Sequence, residues 1–200
     1  MKILGIETSC DETAAALIET KQDGQTVRLI SQEIASSITL HRKTGGIIPE
    51  TASREQIKYI LPIINQVLQK STIYPQSSKT DLPSSIIHSP NIDAIAVTFG
   101  PGLVGSLLVG VETAKTLAYI WNKPIIPVNH LVGHIYANWI GKDNSNILRA
   151  KVASDDRSRE VSTPNSSRLA NARSNNNISS PAIALVVSGG HTDLVFMKNH

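Results

Sequence analysis

Cysteine and long apolar runs are nearly absent from this sequence. Its 200 residues include one cysteine, Cys10, so no disulfide can form within the chain. The longest apolar stretches, such as residues 103–111 and 183–187, are much shorter than the roughly 20 residues that a membrane helix needs. The apolar start of the chain meets Glu7 before it reaches the length of a signal-peptide core. These absences exclude a disulfide scaffold, argue against a membrane partner and predict a cytoplasmic protein.

Concentrated positive charge is also missing. Lys and Arg number 19 against 16 Asp and Glu, which gives a formal net charge of +3 at pH 7. The basic residues are scattered and form no block of the kind found in nucleic-acid-binding arms. The composition, 40% hydrophobic and 18% charged, is typical of a globular protein. Such a chain is compatible with a nucleic-acid partner without requiring one.

Alternating apolar runs predict that the chain opens with three antiparallel strands. These strands cover residues 2–7, 13–19 and 27–36. A β-α-β unit follows later, with a strand at 92–97, a helix at 103–121 and a strand at 124–128. This order predicts a parallel strand pair joined by a right-handed crossover, and therefore an α/β fold.

An amphipathic helix is predicted between these two groups of strands, over residues 51–68, with Pro62 as a kink. Its apolar positions recur at helical spacing: Ile57, Ile60, Leu61, Ile64, Val67 and Leu68. We expect this stripe to face the core.

Residues 141–180 differ from the rest of the chain in being dominated by Asp, Asn, Ser and Arg without any period. We expect a disordered insertion there, because so few apolar side chains cannot offset the entropy lost on ordering. A second glycine hairpin follows, with strands at 183–187 and 194–196. The sequence thus divides into residues 1–140, the insertion at 141–180 and the beginning of a second unit at 181–200.

A histidine pair follows the last strand of the β-α-β unit, in the run Asn129-His130-Leu131-Val132-Gly133-His134. Asn129 is a good N-cap, which predicts that a helix begins there. Histidines at i and i+4 lie on one side of a helix and suit a shared transition metal. Two ligands do not complete such a site, so a surface or core role for either histidine stays open at this point.

A glycine loop, Gly100-Pro101-Gly102-Leu103-Val104-Gly105, lies between a strand and a helix, as in a dinucleotide-binding site. The three preceding antiparallel strands, and the absence of an acidic residue after the next strand, argue against that function. Close packing of helix and strand is the stronger interpretation of these glycines. No P-loop motif is present.

Two turns remain as candidates for binding a ligand. Residues 188–192, Ser-Gly-Gly-His-Thr, offer backbone N–H groups and side-chain donors to a phosphate, although an ordinary β-turn uses the same residues. Residues 7–13, Glu-Thr-Ser-Cys-Asp-Glu-Thr, crowd three carboxylates at a hairpin tip. One such turn in each half, with a possible metal between them, suits a nucleotide held in a cleft between two lobes.

Five blocks of sequence resemble, in the same order, the signature motifs of the TsaD family. They are residues 5–13, 41–50, 100–110, 130–134 and 187–192. The resemblance implies the two-lobed α/β fold of actin, hexokinase and Hsp70, with the first lobe in residues 1–140. It also implies transfer of threonylcarbamoyl from threonylcarbamoyl-AMP to the N6 of the tRNA adenosine adjacent to the anticodon.

The resemblance also implies roles for individual residues. His130 and His134 match two ligands of an iron or zinc ion, and Glu12 matches an acidic residue near the reacting group. Five residues match the backbone that contacts the adenylate: Val186, Val187, Ser188, Gly189 and Gly190. The implied partners are tRNA, TsaB-like and TsaE-like accessory proteins, and an upstream threonylcarbamoyl-AMP synthase.

The chain departs from the family pattern at Val132, where a Glu is usual, and at Gln56, where a His is usual. In the family a second lobe brings an aspartate as the remaining metal ligand. We therefore expect this chain to be an incomplete form that is inactive by itself.

Two other functions compete with a transferase. A non-catalytic scaffold like TsaB would share the fold but lack the paired histidines. A metallopeptidase would need an acidic general base within the histidine motif, as in H-E-x-x-H, and residues 131–133 contain no acid.

Overall fold

The computed structural model describes residues 1–20, 27–71, 89–137, 140, 182–188 and 191–198. The chain divides into two compact units, Met1–Ile140 and Gly141–His200. Residues 141–180, for which a disordered insertion was expected, lie outside the described residues. Among the helices that are described, none has the length and apolar character needed to cross a bilayer.

A five-stranded mixed sheet forms the first unit. Its strands are β1 (Lys2–Glu7), β2 (Glu12–Thr20), β3 (Val27–Ser36), β4 (Ala94–Gly100) and β5 (Ile125–Asn129), in the order β3-β2-β1-β4-β5. The pairs β1–β2 and β2–β3 are antiparallel, whereas β1–β4 and β4–β5 are parallel. This topology confirms the three antiparallel strands, the parallel β-α-β unit and the α/β class expected of an actin-like first lobe.

Two long helices pack against the sheet: α2 (Pro49–Lys70) and α3 (Val104–Trp121). Their buried residues form one core with alternate residues of the strands, including Leu4 and Ile6 of β1. A short helix that the sequence did not predict, α1 (Ile38–Lys43), connects β3 to α2.

Only part of the predicted apolar stripe of α2 is buried. Ile60 and Ile64 are buried, but Ile57 is 63% exposed and Leu61 is 42% exposed. Both line an apolar groove between α2 and α3, together with Leu108. They stay accessible because α3 crosses beside them without covering them.

The pleat of β1 places Gly5 and Glu7 on the face opposite to the buried Leu4 and Ile6. Small residues on the neighbouring strands, such as Ala14, line that face. Together they leave room for a cleft of about 350 Å³ at the sheet surface. The short helix α4 (His130–Tyr136), which follows β5, contributes one wall.

The second unit contains an antiparallel hairpin of β6 (Ala182–Ser188) and β7 (His191–Met197). The predicted second hairpin is therefore confirmed, with strands slightly longer than expected.

Candidate metal and substrate site

The paired histidines lie at the beginning of α4, directly after β5. The Asn129 side chain accepts hydrogen bonds from the N–H groups of Leu131 and Val132, so it caps the helix as predicted. The cap fixes where the helix begins and makes His130 its first residue, with His134 one turn further along in the last turn.

The two imidazoles converge. Nε2 of His130 lies 3.1 Å from Nε2 of His134, and the rings meet edge to face with centroids 4.4 Å apart. Two nitrogens bound to one tetrahedral zinc ion lie about 3.4 Å apart, because each Zn–N bond is about 2.1 Å long. The pair therefore fits a shared ion. Within the described residues, no cluster of three or more His, Cys, Asp or Glu side chains has metal-binding geometry.

Glu7, one of the three carboxylates noted at residues 7–13, reaches this site from the end of β1, and the sequence assigned it no role of its own. Its Oε1 accepts a hydrogen bond from the N–H of Ser9 at 2.5 Å, and its Oε2 accepts one from the Thr98 hydroxyl. Oε2 also lies 3.2 Å from Nδ1 of His130. Burial raises the pKa of Glu7, but the hydrogen bonds from Ser9, Thr98 and His130 outweigh it and hold the pKa below its ordinary value. Glu7 is therefore a partly buried, ionised acceptor.

Glu12 begins β2 on the other side of the same turn. Partial burial raises the pKa of its carboxyl, and the charges of Asp11 and Glu7 raise it further, whereas His134 lowers it. These effects place Glu12 within electrostatic reach of the histidine pair. A carboxylate with a raised pKa is a better proton acceptor near neutral pH.

The Gln56 side chain of α2 forms hydrogen bonds with the backbone of the turn that carries Glu12. The Gln56 amide nitrogen donates to the carbonyl oxygens of Thr8 at 3.3 Å, Cys10 at 2.9 Å and Glu12 at 3.1 Å. Gln56 is only 1% exposed. A buried side chain on a helix of the core thus fixes the backbone of the acidic turn.

The glycine loop packs against the same turn. A Cβ on Gly102 would lie 2.5 Å from the carbonyl oxygen of Ser9, which accepts a hydrogen bond from the N–H of Leu103 at 2.8 Å. A Cβ on Gly110 would lie 2.3 Å from Oγ1 of Thr8. These contacts match the packing interpretation of the glycines.

The remaining predicted site residues belong to the second unit. Val186, Val187 and Ser188 end β6 and pair with Asp193, Thr192 and His191 of β7. Gly189 and Gly190 lie outside the described residues. The first unit therefore brings the imidazoles of His130 and His134 together and lets Glu12 interact electrostatically with His134, whereas Val186, Val187 and Ser188 belong to the hairpin of the second unit.

Comparison with known proteins identifies relatives of this chain. The family model of TsaD, tRNA N6-adenosine threonylcarbamoyltransferase, matches residues 28–150. Proteins of that name from Thermomicrobium roseum and Bacillus subtilis are 44% and 40% identical to this chain over its whole length. The chain spans 42% of the length of each of them. YeaZ from Pseudomonas aeruginosa, a solved structure, has a TM-score of 0.44 at 18% identity and covers 68% of this chain and 50% of its own.

Proposed function

Because this chain belongs to the TsaD family of tRNA N6-adenosine threonylcarbamoyltransferases, we propose that it serves in threonylcarbamoyl transfer to tRNA. The group moves from threonylcarbamoyl-AMP to the N6 of the adenosine adjacent to the anticodon. The observation that carries the proposal is the convergence of the two Nε2 atoms, 3.1 Å apart, in a chain of this family.

His130 and His134 hold an iron or zinc ion in this proposal. When bound, the ion supplies a Lewis acid and a template for the threonylcarbamoyl moiety. The Asn129 cap and the helical spacing hold the two imidazoles in position before the ion binds. Pre-positioned ligands lose little freedom on binding the metal.

Glu12 acts as the proton acceptor. The N6 amine attacks the carbamoyl carbonyl carbon, a C–N bond forms, and the bond from that carbon to the phosphate oxygen of AMP breaks. The amine loses one proton, which the Glu12 carboxylate takes up. Its raised pKa and its charge interaction with His134 support this role.

The hairpin of the second unit contacts the adenylate. Backbone N–H groups at Val186, Val187, Ser188, Gly189 and Gly190 suit a phosphate, because a glycine turn lets successive N–H groups point the same way. The partners proposed with this reaction are tRNA, TsaB-like and TsaE-like proteins and the synthase that makes threonylcarbamoyl-AMP. The proposed location is the cytoplasm, where tRNA is modified.

A chimera tests the proposal. Residues 1–140 of this chain replace the matching residues of the Bacillus subtilis relative, and the protein is assayed with threonylcarbamoyl-AMP, zinc or iron, unmodified tRNA and the relative's own partners. We expect threonylcarbamoyladenosine, detected by mass spectrometry of the nucleosides. His130→Ala and His134→Ala should abolish it, whereas Val132→Ala, an exposed position on the same helix, should not.

Two results would contradict the proposal. One is a folded chimera that makes no product under conditions in which the parent relative makes it. The other is full activity after both histidines have been replaced, since the metal ligands would then lie elsewhere.

A further inference from the structure

The environment of His130 Nδ1 determines which ring nitrogen carries the proton. Nδ1 lies 3.2 Å from Oε2 of Glu7 and 3.1 Å from Oγ of Ser9. An ionised carboxylate is an acceptor only, so a favourable contact with Glu7 requires a hydrogen on Nδ1. The lone pair of neutral His130 is then on Nε2, the atom that faces His134.

We infer that Glu7 is a positioning residue, which fixes the Nδ1–H tautomer of His130 and leaves Nε2 free to bind the metal. This inference rests on the proposed function for its consequence, metal binding, but the tautomer itself can be measured without a metal. Carboxylates that accept a hydrogen bond from a metal-ligating histidine orient the ring and raise its affinity for the ion.

The surroundings keep the Glu7 carboxylate in this orientation. Glu7 ends β1, whose neighbouring Ile6 pairs with Val97 of the parallel strand β4. One carboxylate oxygen accepts the Ser9 N–H, and the other accepts the Thr98 hydroxyl. The oxygen that faces His130 therefore has little freedom to turn away.

The opposite tautomer is disfavoured by the contact with Glu7 alone, because the Ser9 hydroxyl can either donate to Nδ1 or accept from it. A hydrogen on Nε2 would leave the Nδ1 lone pair directed at the carboxylate oxygen, and two acceptors would face each other. It would also block the atom that is aimed at His134. Glu7 thus selects the metal-binding form against the other one.

The substitution Glu7→Gln should make the Nε2–H tautomer of His130 the favoured one. The Ser9 backbone N–H can only donate, so it would hold the amide oxygen, whereas the Thr98 hydroxyl can rotate to accept from the amide nitrogen. That nitrogen would then face Nδ1 of His130 as a donor. His130 would move its proton to Nε2, and we expect the affinity for a divalent ion to fall by about 10- to 100-fold.

The test uses the whole 200-residue chain. Long-range ¹H–¹⁵N NMR of the imidazoles, recorded in mildly alkaline buffer, identifies the tautomer. Titration with Co²⁺, followed by visible absorption, measures the affinity. Glu19→Gln removes the same charge elsewhere on the sheet, at an ion pair with Arg28, and serves as the matched control.

We expect Nδ1–H for His130 in the unsubstituted chain and in Glu19→Gln, and Nε2–H with weakened Co²⁺ binding in Glu7→Gln. An Nε2–H tautomer in the unsubstituted chain would overturn the inference, even if Glu7→Gln failed to fold. So would an unchanged tautomer and affinity in folded Glu7→Gln. An Nδ1–H tautomer in a chain that binds no Co²⁺ would contradict the expected metal affinity of the two histidines in this chain but leave the role of Glu7 intact.

Discussion

Replacing Gln56 by leucine should loosen the acidic turn and destabilise the first unit. The substitution removes a donor whose nitrogen contacts three buried or partly buried backbone carbonyls. An amide nitrogen has two hydrogens, so the equivalent of two full hydrogen bonds is lost. A typical hydrogen bond contributes about 0.5–1.5 kcal/mol, and an acceptor left buried without a partner costs about 1–3 kcal/mol.

One effect opposes this loss. Oε1 of Gln56 is buried without a hydrogen-bond partner in the described part of the chain, and leucine removes that unsatisfied atom as well. Taking both effects together, we expect the free energy of unfolding to fall by about 2–4 kcal/mol. With an m-value of about 2 kcal/mol/M, the urea midpoint should fall by about 1–2 M.

Urea unfolding followed by circular dichroism checks this value, with Gln66→Leu as the control. Gln66 lies on the same helix but is exposed, so its replacement should change stability by less than about 0.5 kcal/mol. Gln56→His should lose less than Gln56→Leu because the ring keeps an N–H donor. If Gln56→Leu and Gln66→Leu shift the midpoint equally, the three contacts do not stabilise the turn.

Three further predictions concern the same region. Gly110→Ala should lower the free energy of unfolding by about 1–3 kcal/mol, because the new Cβ would lie 2.3 Å from Oγ1 of Thr8. Gly105→Ala on the same helix should not, because the nearest atoms to its Cβ would be 3.4 Å away. Thermal melting of the two variants checks this difference. Burial and the charge of Asp11 raise the pKa of Cys10, and the thiolate is the reactive form, so below that pKa Cys10 should react with iodoacetamide more slowly than a free cysteine. A rate at neutral pH equal to that of the free thiol would contradict this. Finally, the 200-residue chain alone should form no threonylcarbamoyladenosine from threonylcarbamoyl-AMP and tRNA, because the two ligands proposed among the described residues, His130 and His134, do not complete a catalytic metal site. Product at the rate of a full-length relative would refute this.

Local signals were sufficient to predict the elements that carry the histidines. Residues 2–7 and 27–36 alternate clearly, and β1 and β3 have these bounds. The beginning of α4 was predicted because an N-cap is a property of adjacent residues: the Asn129 side chain bonds to N–H groups only two and three positions away. Helical spacing then determined which side chains would meet.

Exposure on α2 could not be predicted in the same way. Helical periodicity places Ile57 and Leu61 on the same stripe as Ile60 and Ile64. Which part of a stripe is buried depends on where a distant helix crosses, and α3 leaves the groove beside Ile57 open. The short helix α1 was missed for a different reason, since six residues are fewer than two helical turns and show no period.

The contact between Glu7 and His130 depends on strand order, which local patterns do not determine. The two residues are 123 positions apart, and they meet because β1 lies beside β4 and β4 beside β5. The carboxyl ends of parallel strands meet at one edge of a sheet, where ligand sites gather. With β1 at the outer edge instead, Glu7 would end too far from β5 to touch an imidazole. Polar residues at the ends of predicted parallel strands, such as Glu7 and Thr98, therefore become candidates for a site once the strand order is known. In this sheet Glu7 contacts both Thr98 and His130, and the spacing of the histidines alone had already identified His130.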